Sequence, residues 1–186
     1  LLSFKQDITT INTILNSWDL GLLEEFAIIK AYQLKQQNKN VVVVPFDLLN
    51  INNVKTKNPY YNKDVFLTEK VLKAYVDVLK SENLITIGYC SASFIDETSE
   101  QSLFLISRLG FDSIIIEDDY SFAKKLRNDY NYSNVIFVKT TKDSKNLYNF
   151  YYDQYLNEEL DESYINDLLI EINNFTTKLY LEPTIS

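Results

Sequence analysis

The sequence predicts an α/β fold with an open, mostly parallel sheet. Three observations in residues 84–119 carry this prediction: an apolar run at 84–87, a helical pattern of apolar residues that ends at Leu109, and a second apolar run at 114–116. The two runs are continuous rather than alternating, which is typical of strands covered on both faces. Gly110 follows the helical stretch, where glycine readily adopts the left-handed conformation that ends a helix. Together these features form one βαβ unit, whose crossover is right-handed in nearly all cases.

Before this unit, the chain already alternates between strand and helix patterns. Residues 1–4 form a short apolar start that fits a first strand. Asp19 is a suitable N-cap for a helix over 20–37. The residues assigned to the inner face of this helix are Leu22, Leu23, Phe26, Ile29 and Leu34. Four consecutive valines favour a strand over 41–46, in which Pro45 ends the ladder.

The polar segment 47–62 predicts a long connection, and a helix over 64–80 follows it. The apolar stripe of that helix comprises Leu67, Val71, Leu72, Tyr75, Val76 and Leu79. After the central unit, we predict a short helix capped by Ser121 and a strand over 134–138. The last predicted helix starts near residue 161, with a stripe made of Ile165, Leu168, Leu169, Ile172, Phe175 and Leu179.

The predicted sheet has five strands, near residues 1–4, 41–46, 84–89, 112–117 and 134–138. Strands that alternate with helices in this way form a doubly wound, three-layer fold of Rossmann-like or flavodoxin-like type. No linker divides the chain. We therefore expect residues 1–186 to form a single α/β domain, on which residues 143–186 pack as a helical extension.

The amino-acid composition of the chain argues against several classes of function. The net charge of −8 makes the protein acidic and argues against general nucleic-acid binding, which needs a basic face. A single cysteine excludes an internal disulfide and indicates a reducing compartment, so we expect a cytoplasmic, intracellular protein. No apolar run approaches the length of a membrane span, no signal peptide is visible, and no membrane partner is expected.

The chain contains no histidine. Acid–base chemistry would therefore depend on Asp, Glu, Lys, Tyr or Cys. Zinc sites with histidine ligands or four cysteines and Ser-His-Asp triads are excluded. We predict no catalytic residue, no metal and no cofactor.

Candidate binding residues follow from the rule that doubly wound sheets bind ligands at the carboxyl ends of their strands. The rule selects Asp47, Cys90, Ser91, Ser93, Glu117 and Asp118. The three carboxylates, with Asp119, have the oxygen ligands that Mg²⁺ prefers. A solvated acidic loop at the N-terminus of the next helix explains residues 117–119 equally well, and it is the reading we favour.

Cys90 ends a predicted strand, where a thiolate could be activated. We expect instead a small buried thiol, because free cysteine is among the most buried residue types. Ser91 and Ser93 suit a phosphate at a helix N-terminus. Neither a Walker A loop nor a G-x-G-x-x-G motif accompanies them, which argues against a standard nucleotide site.

A cluster of tyrosines lies near the C-terminal end, at Tyr148, Tyr151, Tyr152 and Tyr155. Such rings could stack on a protein partner or a planar ligand. Their i, i+3, i+4, i+7 spacing favours the inner face of a helix over 147–156.

The order of elements, with a few short motifs, resembles the N-terminal α/β domain of photolyases and cryptochromes. Residues 3–9, Ser-Phe-Lys-Gln-Asp-Ile-Thr, are similar to the opening Trp-Phe-Arg-Arg-Asp-Leu-Arg motif of that family, without its arginines. Pro-Phe-Asp at 45–47, Phe-Leu at 66–67 and Glu-Asp-Asp-Tyr at 117–120 resemble later motifs. The likeness covers about residues 1–140. It implies an antenna-type domain without the helical flavin-binding domain, and it does not imply light-driven repair.

The sequence thus predicts a non-enzymatic binding or protein-interaction domain, whose partner is a protein or a small planar ligand. The alternative is a carboxylate-based, metal-dependent enzyme that acts at the carboxyl ends of the strands through Asp47, Glu117, Asp118 and Asp119.

Overall fold

The computed structural model describes residues 19–45, 65–90, 100–117, 120–139 and 162–180, and the separate positions 14, 149, 152–153 and 156–157. Within the five long ranges, helices and strands alternate throughout. In chain order they are α1 (Leu20–Gln36), β1 (Val41–Pro45), α2 (Val65–Ser81), β2 (Ile85–Cys90), α3 (Glu100–Arg108), β3 (Ser113–Glu117), α4 (Tyr120–Tyr130), β4 (Val135–Lys139) and α5 (Glu162–Tyr180).

The four strands form one parallel sheet in the order β1-β2-β3-β4. The predicted α/β class with a parallel sheet is therefore confirmed. The predicted strand at 1–4 lies outside the described residues. Across the sheet, the described strands lie in the same order as along the chain, whereas the strand order of a doubly wound sheet reverses at one point. The reversal on which the site prediction depended is thus absent among these four strands.

Helices α1 to α4 cover one face of the sheet. Alternate strand residues point to this face, and they join the helices in one cluster of buried side chains. The cluster includes Val42 and Cys90 from the strands, and Leu23, Val76 and Ile106 from the helices. For α2, α3 and α4, which connect the four strands, the cause is that right-handed crossovers advancing in one direction place every connecting helix on the same face. Helix α1 precedes β1 and packs on that face against α2.

Helix α5 packs on the opposite face. There Phe175 is buried with Ile85 and Ile87, and Leu179 packs against the same cluster. The ring of Phe175 also lies 5.6 Å from the ring of Phe137 on β4. Because helices cover both faces of the sheet, the sequences of its strands are continuous runs of apolar residues.

A left-handed residue follows each of the first four helices. Gly110 after α3 has φ 71°, as predicted, and Asn38, Asn83 and Asn131 follow α1, α2 and α4 with φ between 51° and 59°. Asparagine is the residue that tolerates this conformation best after glycine. These three asparagines therefore explain how a chain with so few glycines ends its helices.

Two predicted helix faces are wrong in part. In α1, Leu22 and Ile29 are exposed rather than internal, whereas Leu23 is buried as predicted, and Phe26 and Leu34 are partly buried against the core. The other fully buried residues of this helix are Ala27 and Ala31. In α5, three members of the predicted stripe are also exposed: Ile165, Leu169 and Ile172. The physical reason is that both helices have more apolar surface than their contacts with the rest of the described chain bury.

Candidate functional site

At the carboxyl edge of the sheet, the structure describes two of the six predicted binding residues. Cys90, the last residue of β2, is fully buried among the side chains beneath helices α1 to α4. This agrees with a structural thiol, since a reactive cysteine needs access to solvent.

Glu117, the last residue of β3, points to the other face of the sheet. Cys90 is the partner of Ile116 in the β2–β3 register, so Glu117 is one residue further on and projects the opposite way. Its carboxylate accepts a hydrogen bond from the hydroxyl of Tyr89, which lies on the same face. The structure therefore does not bring Cys90 and Glu117 together in one site.

The other four predicted residues, Asp47, Ser91, Ser93 and Asp118, lie outside the described residues, as do Asp119 and three of the four clustered tyrosines. Tyr152 is described: it is helical, as predicted, but its side chain is about half exposed, so its predicted place on an inner helix face is wrong. Within the described ranges, no three or more Asp, Glu, His or Cys side chains are grouped as a metal ion would require.

A different polar cluster lies at the amino edge of the sheet, around Asp112. The Asp112 carboxylate accepts hydrogen bonds from the backbone N–H and the hydroxyl of Thr86, at 2.9 Å and 3.0 Å. The ammonium of Lys178 on α5 donates to it at 2.8 Å, and that of Lys80 on α2 lies 3.6 Å away. Lys80 also donates to the carbonyl of Gly110. Asp112 thereby ties both helical layers to the sheet.

The protonation of Asp112 follows from these contacts. Burial by itself would raise the pKa of this carboxyl, because it penalises the charged form. The hydrogen bonds from Lys178 and Thr86 and the charge of Lys80 act in the other direction, and together they hold the pKa below its ordinary value. The carboxylate is thus ionised and fully partnered at neutral pH.

Beside Asp112 is a shallow cavity of about 150 Å³, lined by Asp112, Ser133, Asn134, Glu171, Asn174, Phe175 and Lys178. One guanidinium nitrogen of Arg127, Nη1, donates to both carboxylate oxygens of Glu171, at 3.0 Å and 2.9 Å. Asn134 and the buried phenol of Tyr132 both donate to the carbonyl of Phe111. Burial raises the pKa of Tyr132, which therefore stays protonated. These contacts join α4 and α5 around the β4 side of the sheet, so we interpret the cluster as a structural clamp.

The described surface also carries an apolar stripe on α1. We call it the outer stripe, and it comprises Leu22, Ile28, Ile29 and Tyr32. These side chains are between 46% and 63% exposed. At 3.6 residues per turn they fall within about 120° of the helix circumference. Leu23, Ala27 and Ala31 are buried on the opposite side, so α1 is apolar on two opposed faces.

Sequence reasoning missed both features. Lys178, the partner of Asp112 on α5, is 66 residues away along the chain, and no local pattern connects the two. The outer stripe did leave a signal. Ala27 and Ala31 are four residues apart on one side, whereas Ile28 and Tyr32 repeat the same spacing on the other.

No protein-family model matches the chain, and comparisons with curated proteins and with solved structures find no similar protein. Of the helices within the described ranges, none combines the length and the apolar character needed to cross a bilayer.

Proposed function

We propose that the chain is a non-enzymatic α/β domain that binds another protein, and that the outer stripe of α1 is the contact surface. The observation that carries this proposal is the exposure of Ile28, Ile29 and Tyr32, which are neighbours on one side of α1, with Leu22 further along the same side beyond Glu25. Single exposed apolar residues are ordinary on protein surfaces, whereas contiguous apolar patches mark interaction sites. A tyrosine beside aliphatic residues also fits the composition of interface cores.

The scaffold supports such a role. The N-cap Asp19 holds the first turn of α1 through a hydrogen bond of 3.0 Å from the N–H of Leu22. The inner side of α1 is anchored by buried residues, and the ring of Phe26 stacks on Tyr75 of α2 at 6.1 Å. A helix fixed in this way presents its outer face without having to reorganise on binding, which lowers the entropic cost of association.

Several finer parts of the prediction belong to the same proposal: a single domain, a fifth strand at 1–4, a cytoplasmic location and a relationship to the antenna-type domain of photolyases. The single cysteine supports the location, and short motifs support the relationship. No arrangement of the described residues favours the metal-dependent alternative.

A comparison of two matched variants tests the proposal. Ile29 in the outer stripe is 55% exposed, and Ile170 on α5 is 57% exposed. We expect tagged wild-type protein and the Ile170→Lys variant to co-purify the same partner from the cells that produce them. The Ile29→Lys variant should lose that partner. Identical sets of co-purified proteins for all three chains would contradict the proposal.

A further inference from the structure

We propose that α5 is a strap, which detaches from the sheet as a unit while the other described elements stay folded. Its release uncovers the apolar face of the sheet that it covers in the closed form. No residue of the outer stripe takes part, so the strap is independent of the proposed function. Two observations carry it: the small amount of apolar surface that α5 buries, and the polar contacts that hold it.

Helix α5 is attached by little apolar burial for its length. It has 19 residues, compared with 17 in α2 on the other face of the sheet. Among the described side chains of α5, only Phe175 is buried. The apolar side chains that α2 buries are Val71, Leu72, Tyr75, Val76 and Leu79. Because apolar burial is the main favourable term in folding, the free energy that holds α5 in place is much smaller than that which holds α2.

Arg127 of α4 contacts α5 at two positions that are two turns apart. Its Nη1 atom donates to both carboxylate oxygens of Glu171, and its guanidinium carbon lies 6.0 Å from the centre of the Tyr164 ring. The side chains of Arg127 and Glu171 are 14% and 23% exposed, so the pair is largely shielded from water. Removing one partner of a shielded pair is costly, because the other charge is left without compensation. Arg127 is therefore a main attachment point of the strap.

Two further polar contacts hold the C-terminal end of α5. The ammonium of Lys178 donates to the Asp112 carboxylate at 2.8 Å, and the side-chain amide of Asn40 donates to the backbone carbonyl of Leu179 at 3.4 Å. The Lys178 side chain is 58% exposed, and the contact from Asn40 is long for a hydrogen bond. Water replaces such contacts when the helix leaves, so their net contribution is modest.

Detachment of α5 does not leave Asp112 without partners. This carboxylate still accepts the two hydrogen bonds from Thr86, and the ammonium of Lys80 still lies 3.6 Å from it. These contacts come from β2 and α2, which stay in place. The buried charge is therefore compensated in the open form as well, which keeps the cost of opening low.

The surface that the strap covers is apolar. Phe175 and Leu179 of α5 pack there against a cluster of strand residues, which comprises Val41, Val43, Ile85, Ile87 and Ile115. Exposure of this cluster to water is unfavourable, so the closed form is the dominant one. In the open form the same cluster is a contiguous apolar patch, the kind of surface at which proteins bind one another.

Amide hydrogen exchange at increasing urea concentrations below the unfolding transition tests the strap. An isolated helix is only marginally stable in water, so the amides of α5 exchange once it has detached. In the wild-type protein we expect their protection to be at least about tenfold lower than that of the α2 amides. It should also fall less steeply with urea, because detaching one helix exposes less surface than global unfolding does.

Two results with the wild-type protein would overturn the inference. Equal protection and equal urea dependence for α5 and α2 would show that the two helices open only together. Protection in α5 that does not change with urea would show that its turns fray one by one, rather than detach as a unit.

A pair of matched variants tests the attachment point. Arg127→Gln should lower the protection of α5 at least about tenfold, as the loss of a charge-assisted contact predicts, and should leave α2 unchanged. The control is Arg108→Gln, which removes the contact of 2.6 Å between Arg108 on α3 and Glu69 on α2 and should leave α5 unchanged. An Arg127→Gln variant that fails to fold, or that lowers protection in α2 and α5 equally, would contradict a separable strap. An equal loss in α5 from Arg108→Gln would do the same.

Discussion

At the scale of single residues, Asp112 shows how one side chain joins three layers. It lies just before β3, it receives two hydrogen bonds from Thr86 on β2, and it contacts lysines from helices on both faces of the sheet. A buried carboxylate is costly unless such partners compensate for its lost hydration. The partners that make this carboxylate tolerable are also what connect the layers.

Replacing Asp112 by Asn should destabilise the protein by about 1–3 kcal/mol at pH 7, because the two lysines lose a buried charged acceptor. The folded-state pKa of Asp112 is lowered, so its contribution is complete above the unfolded-state value of about 3.9. The contribution is lost as the pH falls through the lower folded-state pKa. Urea unfolding of wild type and variant should therefore give a free-energy difference that disappears in acid.

The matched control for this prediction is Asp77→Asn. Asp77 pairs with Lys73 at 3.1 Å on the exposed side of α2, and surface pairs contribute little. A loss at Asp77 as large as the loss at Asp112, or a difference for Asp112 that does not change with pH, would contradict the assignment.

Cys90 should react slowly with alkylating reagents in the native protein. Its side chain is fully buried, so modification requires local or global opening of the structure. We expect native protein to react roughly a hundredfold more slowly than protein in denaturant, or slower still. Nearly equal rates in the two conditions would indicate an accessible thiol.

At the scale of elements, strand positions and most helix positions are predictable because their signals are local. The stripe of α2 is correct at Val71, Leu72, Tyr75, Val76 and Leu79, which are all buried. Boundaries are less certain: α4 begins at Tyr120, so Ser121 lies within the helix rather than at its cap. The correct positions of strands and helices could be predicted because they depend only on the periodicity of apolar residues in the sequence.

The face of α1 was not predictable in the same way. Apolar residues occur on two sides of this helix, so periodicity gives no unique inner face. The side with the small Ala27 and Ala31 packs on the core, and the bulkier Ile28 and Ile29 remain outside. A similar limit applies to the candidate site. Cys90 and Glu117 both end strands, but the register that places them on opposite faces is not visible in the sequence.

The two sides of α1 should respond differently to mutation. Ala27→Leu adds volume to a fully buried position and should lower the free energy of unfolding by about 1–3 kcal/mol. Ile29→Lys should change it by no more than about 0.5 kcal/mol, as is usual for exposed positions. Urea unfolding at low protein concentration measures both. A large loss for Ile29→Lys would show that this residue supports the core.

At the scale of the whole molecule, the described polar groups at the two edges of the sheet are either held apart or already partnered. The described residues of the carboxyl edge are divided between the two faces of the sheet, and the polar cluster at the amino edge satisfies its own charges. The described surface exposes apolar residues both on α5, at Ile165, Leu169 and Ile172, and in the outer stripe of α1, and our proposal assigns the protein contact to the outer stripe. The central claim is therefore that this stripe is a protein contact.

Site-specific photo-cross-linking tests that claim most directly. A photoreactive aromatic amino acid is placed at Tyr32 in the outer stripe, or at Lys70, an exposed position on α2, and the cells that produce each protein are irradiated. We predict a defined cross-linked product from position 32 and none from position 70. No product from position 32, or the same products from both positions, would contradict the claim.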